Sequence, residues 1–458
     1  MSRSPPLPIP MTTDEKRASA GLAGIFALRM LGLFLILPVF AIQAREIPGA
    51  TPLLIGIAIG AYGLTQALLQ IPFGMLSDRI GRKPVILGGL VIFLIGSILA
   101  ALATDIYGVI LGRLLQGSGA IAAAIMALTA DLTRESVRTR AMAGIGISIA
   151  LSFALALVLG PIVAHWGGLP GLFWFIAFLA LVGILILMLV VPNPAHRGRH
   201  RDAESVPGQF RGVLADTELR RLDLGIFTLH LTMTSLFLVV PLFLGERGVA
   251  PVDHWMIYLP VLLLAIVAMV PLIIQAENKG RMKPVFLGSL VALVLGLLGL
   301  NFLGGSVLAI AFWLLVLITL FNLLEAILPS VVSKVAHAGA KGTAMGVYST
   351  SQFTGAFLGG LIGGWIHQHW GVHAVPVFSA LAVTIWFLVA YGMRPPRQTV
   401  PHMIRVGTLA ADPGLSTQLL SIPGVEEALI AVDEGVAYLK VDKERIDWAR
   451  LNLFTTET

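Results

Sequence analysis

The stretch Gly74–Pro84, GMLSDRIGRKP, decides how this chain is read. It packs Asp78, Arg79, Arg82 and Lys83 into six residues between two long apolar runs, and Gly74 and Gly81 bracket the group. Charge concentrated this way makes sense if the runs on either side lie in a different solvent. Composition says they do. Of 458 residues, 57% are hydrophobic and 12% are charged, whereas an ordinary soluble domain is about a quarter charged. Such a chain has too few polar groups to cover a compact aqueous surface, and a bilayer is the solvent that fits. With no Cys, disulfides, thiolate catalysis and Cys-based metal sites are excluded.

About 20 apolar residues cross a bilayer as a helix. Twelve such runs are present, at 18–43, 51–72, 84–103, 106–129, 141–164, 170–191, 223–244, 254–275, 284–303, 306–333, 343–366 and 373–393. The one long connection, Pro192 to Leu222, divides them six and six. The predicted fold is an all-α membrane protein of twelve transmembrane helices in two six-helix halves, with a small soluble domain after them. The expected domains are a disordered, proline-rich tail at 1–17, a first half at 18–192, a linker at 193–222, a second half at 223–394 and a soluble domain at 402–458.

Lys and Arg mark the cytoplasmic side of a membrane protein. With both termini placed inside, the inside segments before residue 400 hold 22 of them, and the outside segments hold only Arg45 and Arg247. The net charge of +6 is thereby read as topology plus attraction to anionic lipid, not as a nucleic-acid footprint. The expected location is the bacterial inner membrane.

The halves repeat. Lys83-Pro84-Val85 recurs as Lys283-Pro284-Val285, RTRAMAG before the fifth run parallels KGTAMGV before the eleventh, and His165-Trp166-Gly167 recurs at 369–371. Three matches in one order, at offsets of 200 to 204, indicate parallel halves with a substrate site at their interface.

On these residues the chain resembles the major facilitator superfamily. Gly74, Leu76, Asp78, Arg79, Gly81, Arg82 and Lys83 match its motif A, and LGRLLQG at 111–117 is similar to its motif B. FALALVLGP at 153–161 resembles the antiporter motif, with Ala156 where a Gly is usual. The small C-terminal domain further resembles the YajR-type branch. The resemblance implies that motif A latches the outward-open state. Asp78 would cap the start of the eleventh span near Gly342-Thr343, while Arg82 pairs with Asp131. It also ties Arg113 to the central cavity and to proton coupling.

The soluble domain reads as β-α-β-β-α, close to a ferredoxin-like fold without a clear last strand. MIRVGTL and the two runs around Asp433-Glu434-Gly435 are its strands, and LSTQLLSI and KERIDWARL its helices. It looks similar to heavy-metal-associated domains, but without their cysteines no metal is expected there. Self-association or regulation is the expected role.

Ionisable residues at bilayer depth are functional candidates by default. Here they are Arg29, Arg113, His230 and Glu325, with Gln116 beside Arg113. Further polar and aromatic cavity positions are Gln66, Gln70, Asn301, Asn322, Gln352, Phe153, Phe237 and Tyr348. Lys83 is expected to be a topology signal only. The function expected is proton-coupled export of small amphipathic compounds, with protons and membrane lipids as partners and no cofactor or catalytic residue. The alternatives are a polar-metabolite transporter, in which Arg29 and Arg113 bind an anion, and a sensor or anchoring protein acting through its C-terminal domain. Nothing resembles a Walker loop or a kinase or hydrolase motif.

Overall fold

The computed structural model describes residues 10–193, 207–277, 281–337, 340–393, 399–432, 434–442 and 445–455. Arg197, Arg199 and Arg201 of the linker, Lys279, Arg394, Arg397 and Asp433 lie outside them. The first half contains α1 (Thr13–Phe34), α2 (Phe40–Gln43), α3 (Pro52–Ile80), α4 (Arg82–Leu102), α5 (Ile106–Ser118), α6 (Ala122–Asp131) and α7 (Glu135–Leu189). A short α8 (Phe210–Ala215) leads into the second, with α9 (Thr217–Glu246), α10 (Trp255–Glu277), α11 (Met282–Leu303), α12 (Val307–Val335), α13 (Lys341–Trp370) and α14 (Ala374–Tyr391).

Local chemistry sets the ends. Thr12 and Glu15 form a capping box at the start of α1, which satisfies two otherwise orphaned N–H groups. Asp105 caps α5 and Ser306 caps α12, each accepting from the N–H three residues on.

The predicted runs differ from the helices in instructive ways. The first run breaks after Phe34, because Pro38 has no N–H to continue the ladder. The fourth is two helices, α5 and α6, split where Gly119 packs directly on the Gly89 backbone. The fifth and sixth are joined through Gly168, whose φ of 61° and ψ of −161° break the helical path. Ten helical stretches among the described residues are long and apolar enough to cross a membrane. They reconcile with twelve spans because α7 carries two and α13 is diluted by its Gly, Gln and His residues.

GMLSDRIGRKP is not a loop. It is the end of α3 and the start of α4, separated by Gly81 alone at φ 109° and ψ 151°. Only glycine takes that backbone conformation without strain.

The sequence repeat has a structural counterpart. Arg17 donates to the Leu189 carbonyl at 2.9 Å and Arg221 to that of Gly392 at 2.7 Å. Lys83 Nζ donates to the Val191 carbonyl and Lys283 Nζ to the Met393 carbonyl, both at 2.8 Å. Each half thus uses an Arg from its first helix and a Lys from its third to satisfy the carbonyls that end its sixth, where orphaned acceptors and the helix dipole favour cations. Lys83 is therefore a cap as well as a topology signal.

The halves meet along α3 and α13, which run antiparallel. A Cβ on Gly56 would collide with the Gly360 carbonyl, one on Gly60 with Phe357, and one on Gly364 with Pro52 and Leu53. Gly355, Gly359 and Gly363 form a second seam on α13, against Phe227, Leu231 and Ser235 of α9. This contact lies at the end of the molecule away from Gly81. There the Leu53 N–H also donates to Gln368 Oε1 at 3.2 Å. Phe153 meets Phe237 edge to face across the halves at 6.2 Å and Phe34 of its own half at 5.1 Å.

The C-terminal domain is a three-stranded antiparallel sheet of β1 (Thr399–Arg405), β2 (Val425–Ala431) and β3 (Val436–Asp442) in the order β1-β3-β2. It carries α15 (Leu415–Leu420) and α16 (Trp448–Asn452), an α+β arrangement of the kind expected. Two details differ from the sequence reading. GTL belongs to a 3-10 turn at Gly407–Ala411, and the last helix starts only at Trp448, where Asp447 caps it. The buried Lys440 donates to the Val335 carbonyl at 3.0 Å and lies 3.4 Å from Glu427, which is 3.5 Å from His337. The domain is thereby fastened to the end of α12.

Replacing Gly360 by Val should prevent close approach of α3 and α13. Spin labels near Leu53 and Gln368 are expected to report a longer distance than in the parent protein, with transport lost and the folded fraction retained.

Candidate functional site

Three polar groupings stand out against the apolar helices. The first is at the basic end. Arg82, buried between α3 and α6, pairs with Asp78 and donates to Ser77 Oγ at 2.9 Å. Its Nε lies 3.5 Å from Asp131 Oδ2. Arg79 is exposed. Gly74 packs on Ala123, bringing α3 against α6. The expected contact from Asp78 to α13 is not made in this structure. That helix begins after Ala340 with no side-chain cap, and Thr343 bonds Gln209 at 3.2 Å instead.

The second grouping fills the first half. Arg29 donates to Gln66 Oε1 at 2.7 Å, and Gln66 donates to Gln70 at 3.1 Å. Arg113 donates to Gln116 Oε1 at 2.7 Å and to the carbonyls of Ala58 and Ile59 at 3.3 Å. Gln116 passes the chain to Ser97 at 2.9 Å. Tyr62 lies between the two cations, its ring 5.7 Å from the Arg29 guanidinium and 5.3 Å from that of Arg113. Both arginines are almost wholly buried, and no carboxylate among the described residues pairs with either. Amide oxygens, carbonyls and an aromatic face disperse the charge instead.

The third grouping belongs to the second half. His230 Nε2 is 3.1 Å from Glu325 Oε2, and the Gln352 amide nitrogen is 2.7 Å from His230 Nε2 and 3.0 Å from Glu325 Oε1. Phe321 closes on the imidazole edge to face at 5.6 Å. These side chains keep solvent access, His230 at 21% and Glu325 at 36% exposed. The imidazole Nε2 faces an amide donor and a carboxylate oxygen at once, and it can accept from the first or donate to the second but not both.

Thus the candidates Arg29, Arg113, Gln116, His230 and Glu325 form two clusters, one per half, not one cavity lining. Asn301 is elsewhere altogether, bonded to His373 at 3.0 Å near an exposed end.

A profile of the Major Facilitator Superfamily matches the chain over residues 22–360 and 276–411. The chain belongs to the major facilitator superfamily. The inner membrane transport protein YajR of Escherichia coli K12 is 47% identical over 443 residues, 95% of this chain and 96% of that protein. The class B tetracycline resistance protein of Escherichia coli is 31% identical over 172 residues, 36% of this chain and 41% of its own. Among solved structures, a bacterial homolog of the human lysosomal transporter Spinster, inward-facing and occupied, superposes with a TM-score of 0.70 at 15% identity, covering 83% of this chain and 97% of that one. These structures share the fold.

Sequence reasoning passed over two parts of this facilitator's site, Tyr62 and Asp223. Gln352 is among the expected cavity positions, and its contacts single it out from the rest. Asp223 sits at the start of α9, half-buried and with no hydrogen bond or ion pair among the described residues. It lies two turns before His230, hence on the same helix face, and Tyr348 is within electrostatic reach of both Asp223 and Glu325. Its spacing from His230 was the available signal.

Gln116→Leu should strand Arg113 and Ser97. Leaving a buried charged group short of its acceptor costs about 2–3 kcal/mol, so the thermal midpoint in detergent is expected to fall clearly, whereas Asn301→Leu at the exposed end should leave it nearly unchanged.

Proposed function

We propose that this membrane transporter exports small amphipathic compounds in exchange for protons, with Glu325 and His230 holding the proton between them. The observation that carries the reading is the hydrogen-bonded cluster of Glu325, His230 and Gln352, which combines a carboxylate and an imidazole inside the helix bundle while keeping solvent access. A carboxylate and an imidazole within hydrogen-bond distance can hold a proton between them. Protonation removes charge from the interface between the halves and lowers the barrier to their movement. Deprotonation on the other side restores it. Asp223, on the same face of α9 and nearer the basic end, is a stepping point for protons between the cluster and the cytoplasm, the side to which the Lys/Arg distribution assigns that end.

The positions of Arg29 and Arg113 favour this reading over the polar-metabolite one. Both guanidiniums are almost wholly buried in the first half, and Arg113 is engaged by Gln116 and two carbonyls, which leaves an anionic substrate little access to them. The class B tetracycline resistance protein, a partial relative, also fits an export reading. The sensor alternative rests on the C-terminal domain alone.

Motif A supplies the second state. With α3 and α13 closed at the far end, the halves are free to part at the basic end, and Asp78 stays on Arg82. When the basic end closes, Asp78 moves to the uncapped start of α13, where unpaired N–H groups and the helix dipole attract an anion. Arg82 then keeps Asp131.

In proteoliposomes with an imposed pH gradient, a screen of apolar dyes and drugs should find at least one that moves uphill. Glu325→Gln should stop the uphill movement and leave downhill exchange measurable. Unchanged accumulation in that variant would retire the coupling role. For the latch, Asp78→Asn should shift label pairs near Ser77 and Thr343 towards longer distances and reduce transport. The same distances and the same transport as the parent would leave motif A as topology only.

A further inference from the structure

A cavity of about 210 Å³ lies between the halves at the end away from the basic groups. Arg45, Thr51 and Ile55 line it from the first half, and Leu238, Leu242 and His367 from the second. Its walls are mostly aliphatic, but two basic groups face it. Arg45 stands on the 3-10 turn Ala44–Glu46, and no ion pair or hydrogen bond engages it among the described residues. His367 holds a buried ring nitrogen, Nδ1, that has no partner, and Arg45 is within electrostatic reach of that ring. The acidic residue beside Arg45 in the chain, Glu46, is exposed. A cationic fork and an imidazole beside an apolar cup call for a ligand with the opposite design.

We propose that this cavity binds a small organic monocarboxylate, and that the bound molecule holds the halves together at this end. The carboxylate meets the Arg45 guanidinium, whose planar donors match it, with the His367 ring on the facing wall. The apolar body rests on Ile55, Leu238 and Leu242. The volume is below that of a drug-sized pocket, about 300–1,000 Å³, so a single ring or a short chain is the fit. Because Arg45 and His367 belong to different halves, the ligand binds only while they are close, and it therefore favours the state in which α3 and α13 are packed. This inference goes beyond the transport reading and needs neither proton coupling nor a central substrate.

The test uses the full chain in detergent, with benzoate as the probe and thermal unfolding as the readout. Ligand binding to the folded state raises the midpoint with concentration. The expected result is a saturable rise with benzoate that neither benzyl alcohol nor inorganic phosphate reproduces. Arg45→Gln and His367→Gln should each weaken the apparent affinity by about tenfold or more, the usual loss for a charge-assisted hydrogen bond. Label pairs across Leu53 and Gln368 should show benzoate narrowing the distance distribution. The proposal is overturned by any of three results: no saturable rise, equal stabilisation by benzyl alcohol, or undiminished affinity in both Arg45→Gln and His367→Gln.

Discussion

The contact between α3 and α13 is made by backbone, and the rest of the molecule is arranged around that fact. Between two membrane helices the hydrophobic effect supplies little attraction, because lipid is as apolar as leucine. Close packing has to do the work, and glycine permits it. Gly56 and Gly360 approach so closely that neither has room for a Cβ. Such a seam forms and parts without rearranging side chains, which suits a joint between moving bodies. The second glycine row of α13, against α9, has no such need to open. It anchors α13 to its own half, so that α13 moves with α9 and slides against α3.

The halves themselves must stay rigid while this happens, and their rigidity is polar. In the first half two buried cations are held by glutamines, carbonyls and Tyr62. A buried charge that loses its partners costs several kcal/mol, so α1, α3, α4 and α5 cannot separate cheaply. At the basic end the carbonyls that finish α7 and α14 are tied down by Arg17, Lys83, Arg221 and Lys283. The repeat seen as short matching words in the sequence is, physically, one bracing device used twice.

Much of the fold could be read from the sequence because bilayer thickness sets span length and the Lys/Arg bias sets orientation. GMLSDRIGRKP was legible as a charged hinge, since Asp, Arg and Gly at that spacing have few other uses between apolar runs. What could not be read was anything decided by a rotamer or a single dihedral. Pro38 ended α1 ahead of its apolar run, Gly81 replaced an expected loop, and Gly168 joined two spans. Arg29 and Glu325 were visible as charges in the wrong solvent. Nothing in their spacing showed that they belong to separate clusters, because that depends on which way each helix is rotated about its axis.

That separation bears on how the two halves divide their tasks. The cations of the first half are almost wholly buried and are held by Gln66, Gln116 and the carbonyls of Ala58 and Ile59, while Arg29 keeps two buried N–H groups without a partner. The carboxylate and imidazole of the second half stay partly exposed, and Gln352 joins them by donating to Glu325 and facing His230. The C-terminal domain is fastened to α12, the helix that carries Glu325, through Lys440 and the Val335 carbonyl. Its sheet is therefore tied to the half that holds Glu325 and His230.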